Sequence, residues 1–388
     1  MGGESERLEG EDVTELMREH NAALTAGVVL HRYIQASPGF CVSRSFPFAP
    51  WLCSPTRQAL LVALLATTGP GAAQAGVLTS TQVAKALVGA FDGVFGGPHA
   101  GERAVHTKGV VADGRFEPAP EAASLSKAVH LNGGAVPVVV RFSNFAGVPT
   151  LPDGNPDAEP NGMAIKFMLP DGGATDIVAH SYDGFPAATP EEFLAFLIAL
   201  GSKDPQAFPA HVAAHPAAQR FVDTPRPTPE SYARQAFYGV NAFDFENAAG
   251  ERRFGRYVIT PLAGTAYLAK DEAAARGADF LGDELAARLQ RGPAAFRLEV
   301  QLAQPGDSTT DGSIPWPADR ARVTLGTLML TSLAADSAAR QRELFFTPLS
   351  LVDGIAPSDD PMLLARTRAY RVSYTRRQQD HQKAADLK

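Results

Sequence analysis

Arg366-Thr367-Arg368-Ala369-Tyr370 sets a guanidinium and a phenol four positions apart, which on a helix means one face, about a turn apart. An arginine so placed reaches the phenol oxygen and steadies a negative charge on it. A phenolate is a hard anionic ligand, and tyrosinate is among the few protein groups that hold the ferric iron of a haem. The same spacing also serves plain surface packing, so the pair gains meaning only from its company. His211-Val212-Ala213-Ala214-His215 puts two imidazoles at i and i+4, a zinc-binding geometry on a helix. The metalloprotease form needs glutamate after the first histidine, where Val212 stands, so this stretch reads as a packed or surface helix. The glycine-rich run Gly96–Gly101 lacks both phosphate-binding fingerprints and reads as a turn. Arg252-Arg253 and Arg376-Arg377 are too short to dock an anionic surface.

The elements that must position these groups are mostly strands. Val136–Phe145, Met163–Leu169, Thr175–Val178, Tyr238–Glu246, Gly255–Pro261, Phe296–Leu302 and Val323–Thr331 are β-rich runs. Phe296-Arg-Leu-Glu-Val-Gln-Leu302 alternates apolar and polar as a half-buried strand does. Between the runs lie helix starts. Thr79 or Ser80 caps a stripe of Val83, Ala86, Leu87, Ala90, Phe91 and Val94. Thr189-Pro190-Glu191-Glu192 supplies a cap, a first-turn proline and a capping-box glutamate ahead of Phe193. Thr228-Pro229-Glu230 repeats the device before Tyr232. Many strands with few long crossovers favour an antiparallel barrel carrying helical insertions, an α+β fold, over a parallel sheet. No internal repeat or low-complexity linker divides it.

The balance of 45% hydrophobic and 20% charged residues is that of an ordinary globular chain. A net charge of −7 argues against a nucleic-acid partner, which requires a basic footprint. The first 41 residues are acid-rich and lack lysine. From Cys41 to Gly76 the only charges are Arg44 and Arg57, followed by the apolar Ala59-Leu-Leu-Val-Ala-Leu-Leu-Ala66 and then Gly69-Pro-Gly-Ala-Ala-Gln-Ala75. A short apolar core after positive charge, ending in small residues, is the pattern of a secretory signal cleaved after Ala75. It is far short of the roughly 20 apolar residues of a membrane span. The alternative is a buried or amphipathic helix in a cytosolic arm. The signal reading makes residues 1–75 an extension plus signal, residues 76–388 the mature domain, and the destination periplasmic or secreted. It also places the translation start nearer residue 42.

Four ordered motifs give Tyr370 its context. Phe346-Thr-Pro-Leu-Ser-Leu-Val-Asp-Gly-Ile-Ala-Pro-Ser-Asp-Asp-Pro-Met-Leu-Leu364, running into Arg366…Tyr370, closely resembles the proximal haem segment of haem catalases. Glu102-Arg103-Ala-Val105-His106-Thr-Lys108-Gly109 is similar to that family's distal histidine segment. Val138-Val-Val-Arg141-Phe-Ser143-Asn-Phe-Ala-Gly147 and Asn161-Gly-Met-Ala-Ile-Lys-Phe167 follow in family order, and the resemblance covers about residues 100 to 377.

That resemblance implies an eight-stranded antiparallel β-barrel around haem b (iron protoporphyrin IX), without the flavodoxin-like C-terminal part of larger catalases. It implies Tyr370 as the iron ligand, supported by Arg366, and His106 as the distal base. Peroxide cleavage needs one group to move a proton between two oxygens, for which a histidine tuned near neutrality is suited. Ser143, on the same strand face as Arg141, would hydrogen-bond His106 and fix its tautomer. Val105 would narrow the channel above the iron. Arg103, Arg141 and Arg377 match propionate-binding positions, where an arginine fork pairs well with carboxylates. Phe193 matches the aromatic that stacks on the porphyrin.

One departure bears on activity. Where catalases carry an asparagine that binds peroxide, this chain has Val178-Ala-His180-Ser181-Tyr182-Asp183. His180 takes that place with Ser181 beside it; either offers a hydrogen bond, but neither is an amide. The chain therefore resembles the small catalase-related peroxidases, which use peroxide and an organic electron donor, with weak or no catalase activity. Fatty-acid hydroperoxide rearrangement, as in allene oxide synthases of this fold, and a non-catalytic haem-binding barrel are the alternatives. The donor, and whether identical chains assemble into an oligomer, are left open by the sequence.

Overall fold

Residues 79–387 are described by the structure, a computed structural model. The signal expected to end at Ala75, with Cys41 and Cys53, lies outside them. Eight strands follow in order: β1 (Gly109–Pro118), β2 (Val136–Ser143), β3 (Gly162–Met168), β4 (Ala174–His180), β5 (Phe237–Glu246), β6 (Arg252–Pro261), β7 (Ala294–Leu302) and β8 (Arg322–Leu333). Each pairs antiparallel with the next, and β8 returns to β1. The circle closes where β4 meets β5, through the single pair His180↔Tyr238. A short β9 (Ile355–Pro357) adds to β5 opposite Phe243–Phe245.

Period-two alternation decides which side of the wall each residue faces. Along β2, Val138, Val140 and Phe142 join the core cluster inside the barrel, with Phe116, Phe167, Phe237, Phe245 and Phe296. Val139 belongs instead to a small outer cluster with Val111 and Ala334. The alternation along Phe296–Leu302 is realised in β7, where Phe296, Leu298, Val300 and Leu302 are buried.

Helices accompany the barrel: α1 (Ser80–Phe95), α2 (Pro190–Leu200), α3 (Ala207–Ala214), α4 (Pro216–Asp223), α5 (Phe280–Arg291), α6 (Ser337–Glu343) and the long α7 (Pro361–Asp386). Among the described residues none is long and apolar enough to cross a membrane. Helix α1 buries Val83, Ala86, Leu87, Ala90 and Phe91, the expected stripe, and packs with α2 and α7. Thr189 caps α2 by accepting from the Glu192 amide; the Glu192 carboxylate accepts from Ala188 N–H rather than from the cap's own.

Two expectations are corrected. Strand β1 was not among the β-rich runs, because Asp113-Gly114-Arg115 interrupts its apolar residues. Gly114 is needed there: a Cβ would lie 2.1 Å from the Met329 carbonyl oxygen on β8, beside a register shift. Thr228-Pro229-Glu230 starts no α-helix. Pro229 forms an isolated bridge with Tyr267, and Ser231 caps only a three-residue turn, Tyr232–Arg234, before β5 claims Phe237. A cap signal without a following apolar stripe has nothing to bury.

Candidate active site

One transverse row crosses five strands at the barrel rim. Gly109 of β1 pairs with Ser143, Ser143 with Gly162, Gly162 with His180, and His180 with Tyr238. Directly opposed residues share a face, and since Phe142 points inward, this row faces outward. The segment just before β1 folds over it, with His106 N–H donating to Phe145 O at 2.9 Å and Thr107 N–H to Ala146 O at 3.0 Å. Among the described residues His106 is the one non-glycine with positive φ, at 55°, a conformation that costs energy and concentrates at functional sites.

His106 Nδ1 lies 2.9 Å from Asn144 O and 3.1 Å from Ser143 Oγ. A carbonyl only accepts, so Nδ1 carries the proton and Nε2 keeps its lone pair. Asn144 O therefore fixes the tautomer, with Ser143 as its neighbour. Gly162 makes room for the ring: a Cβ there would sit 2.8 Å from Ser143 Oγ and 2.9 Å from His106 Nδ1. Burial, then the Arg141 charge, hold the His106 pKa down to about 3. That corrects the expectation of a histidine tuned near neutrality, because a group boxed in by protein and arginines cannot afford a second proton.

His180 ends β4 on the same row. Its Nδ1 faces the Tyr182 N–H at 3.4 Å. Burial, then Arg366 and His106, lower its pKa to about 3. Ser181 is committed elsewhere, which removes it as a candidate. Its hydroxyl donates to Glu159 Oε2 at 3.1 Å and accepts from Asn161 N–H at 2.9 Å. Asn161 Nδ2 also donates to Glu159 Oε1 at 2.6 Å. Burial raises the Glu159 carboxyl to about 7. Sequence reading missed Glu159; the Glu159-Pro160-Asn161 run ahead of Gly162 was its only signal.

The phenol side is built by α7. Asp360 caps the helix by accepting from Met362 N–H at 2.8 Å. Asn241, carried on the irregular stretch of β5 between Gly239 and Phe243, donates to Asp360 Oδ2 at 2.7 Å and accepts from Arg366. Arg366 Nε then donates to Tyr370 Oη at 3.0 Å, the contact their spacing anticipates. Asn241, also missed, thus fixes both the helix start and the guanidinium. Arg366 acts electrostatically on both His106 and His180, so the phenol's partner and the two imidazoles border one space.

Three arginines stand beside that space without a carboxylate. Arg103 donates to the carbonyls of Gln341 and Leu344; Arg141 donates to His106 O, Thr107 O and Gln341 Oε1; Arg377 donates to Leu344 O. Burial, then Arg141 and Arg377, push Arg103 well down; burial, then Arg377, lower Arg141 to about 10. Unneutralised buried cations call for an anion. Val105 is half-buried between Arg103 and His106. Phe193 of α2 is buried within an aromatic cluster: its ring centre lies 4.6 Å from Phe185, which neighbours His180 at 6.3 Å, and 5.8 Å from Phe91, which reaches Phe145 against His106. Two neutral imidazoles, a phenol held by a guanidinium, an aromatic flank and three unpaired arginines fit an iron-bearing macrocycle with two carboxylate arms.

His211 and His215 are not brought to this place as a metal pair. Their rings stack at 4.0 Å, and His215 Nδ1 lies 2.7 Å from His211 O. Among the described residues no three metal-type side chains gather.

A family model described as Catalase matches residues 95–384. A protein named catalase-related peroxidase from Mycolicibacterium paratuberculosis is 40% identical over 303 residues, covering 77% of this chain and 94% of that protein. One of the same name from Synechococcus elongatus is 34% identical over 328 residues, covering 82% and 94%. Among solved structures, a bacterial catalase superposes with a TM-score of 0.65 at 24% identity, over 80% of this chain and 63% of its own length. That likeness is one of fold, and the chain spans less than two thirds of that catalase.

Proposed function

The chain belongs to the catalase family, and from that premise we propose that it is a haem b peroxidase reducing hydrogen peroxide or organic hydroperoxides at the expense of an organic donor. Haem, when bound, supplies a ferric iron that takes up the oxidising equivalents of the peroxide. The rest belongs to the chain. Tyr370 would ligate the iron, its negative charge steadied by Arg366. Arg103, Arg141 and Arg377 would receive the two propionates, and Phe193 would flank the ring. His106 is the base: Nδ1–H is tied to Asn144 O, so Nε2 is always ready to accept the peroxide proton and return it to the departing oxygen. Val105 would restrict what approaches.

The observation that carries the reading is the neutral, tautomer-fixed His106 sharing a space with the Arg366–Tyr370 pair. Peroxidase rather than catalase turnover is supported by His180 standing where an asparagine serves in catalases. The same proposal takes residues 76–388 as the haem domain and the preceding segment as an export signal. To test it, purified protein is given hydrogen peroxide with and without an aromatic donor, and then a lipid hydroperoxide alone. Donor oxidation far exceeding oxygen release is expected. Lipid products formed with no reductant consumed would mean rearrangement instead, and a colourless protein after growth with ample iron would remove haem altogether.

A further inference from the structure

His180 and His106 flank Gly162 from opposite sides, and their ring nitrogens are set the opposite way round. We propose that His180 is the hydrogen-bond donor to a peroxide held beside His106, presenting a fixed Nε2–H where His106 presents a fixed lone pair. The inference rests on the peroxidase reading for its ligand, but its geometry stands independently of it.

The assignment follows from what each Nδ1 meets. A backbone N–H can only donate, so the Tyr182 amide at 3.4 Å requires His180 Nδ1 to accept, which leaves the proton on Nε2. The Asn144 carbonyl at 2.9 Å requires the reverse of His106. Neither Nε2 has a protein partner among the described residues. Neither is sealed away either, in contrast to the buried, unpartnered His381 Nε2. Both rings stay neutral, so neither tautomer is erased by a second proton in ordinary buffers. The backbone beneath His180 is held from two sides, by Gly162 on β3 and Tyr238 on β5. One nitrogen that gives a hydrogen bond and one that takes it, on either side of a residue without a side chain, match an HO–O(H) group. Such a group must be gripped at one oxygen and deprotonated at another. The amide of an asparagine can only imitate the first half of that arrangement.

Two measurements decide it. In ¹⁵N spectra of the histidine-labelled full chain, His180 should show an unprotonated Nδ1 and a protonated Nε2, and His106 the opposite. This reads the same whether or not haem is present, so a failure of the haem assignment leaves it standing. A protonated Nδ1 at His180 overturns the proposal. In the ferric protein, fluoride serves as an acceptor-only probe, its affinity read by optical titration. His180→Ala should weaken fluoride binding about ten- to a hundredfold, the range for a hydrogen bond to an anion. His180→Asn should restore most of that loss, and His106→Ala should not weaken binding. If His180→Ala binds fluoride as the parent does, or His180→Asn is as weak as His180→Ala, the residue acts by packing and the proposal falls.

Discussion

On β2, Phe142 and Ser143 are adjacent in sequence and answer to different demands. Phe142 lies inside the barrel, with its ring 5.0 Å from Tyr232 and 5.8 Å from Phe237. Ser143 lies on the outer face, 3.1 Å from His106. The inner face is filled by volume, with phenylalanines from five other strands meeting at the centre. The outer face is specified by direction, with each polar atom assigned to a named partner. The two are coupled by the pleat: a slip of one residue would exchange them, driving Arg141 and Ser143 into the core and Phe142 into the site. Packing inside is therefore what aims the chemistry outside.

Substitutions can separate the two faces. The largest effect is expected on the phenol side: Tyr370→Phe removes the oxygen available to iron, so the purified protein should retain almost no haem by absorbance while its circular dichroism stays native. His106→Ala should keep haem but slow its reaction with peroxide by about 10²–10⁴-fold, the usual contribution of a positioned base, as followed by stopped-flow absorbance. Equal rates would mean that another group moves the proton. The paired change on β2 tests the contrast itself. Phe142→Ala should cost about 3–5 kcal/mol of stability, the range for emptying a core aromatic. Ser143→Ala should cost about 1 kcal/mol or less, yet be the one that alters the peroxide rate per haem.

A pH experiment sharpens the same comparison with a buried acid behind the rim. Burial raises Glu159 from 4.5 to about 7. Between those values the folded chain holds a proton that the unfolded chain has released, so this group makes stability fall as pH rises through that window. Denaturation curves of Glu159→Gln against the parent should show their difference changing by about 3 kcal/mol between pH 4.5 and 7. His106 and His180 contribute with the opposite sign below pH 6.5, but they cancel in that difference. No change in the difference would mean that Glu159 ionises like an exposed carboxyl.

Legibility divided along similar lines. Alternation made β7 readable, because a half-buried strand writes its two environments into successive residues. The Arg366–Tyr370 contact was readable because it spans one helical turn. Strand β1 was not: its Asp113-Gly114-Arg115 answers to a close approach of β8 that local sequence does not contain. The histidine at 106 could be found from its motif, but not its pKa near 3, which depends on Arg141 and on the enclosing protein. Asn241 and Glu159 were invisible for the same reason, since their partners lie far along the chain.

The barrel is zipped by ladders of several residues at every junction except β4 against β5, where His180 and Tyr238 form the only rung. Local opening follows the least supported contacts, so amide exchange should report this junction as the first to breathe. A molecule gripped by His180 binds the closed form and not the open one. By mass action it must tighten the cylinder as it settles, making occupancy of the pocket and integrity of the wall a single equilibrium.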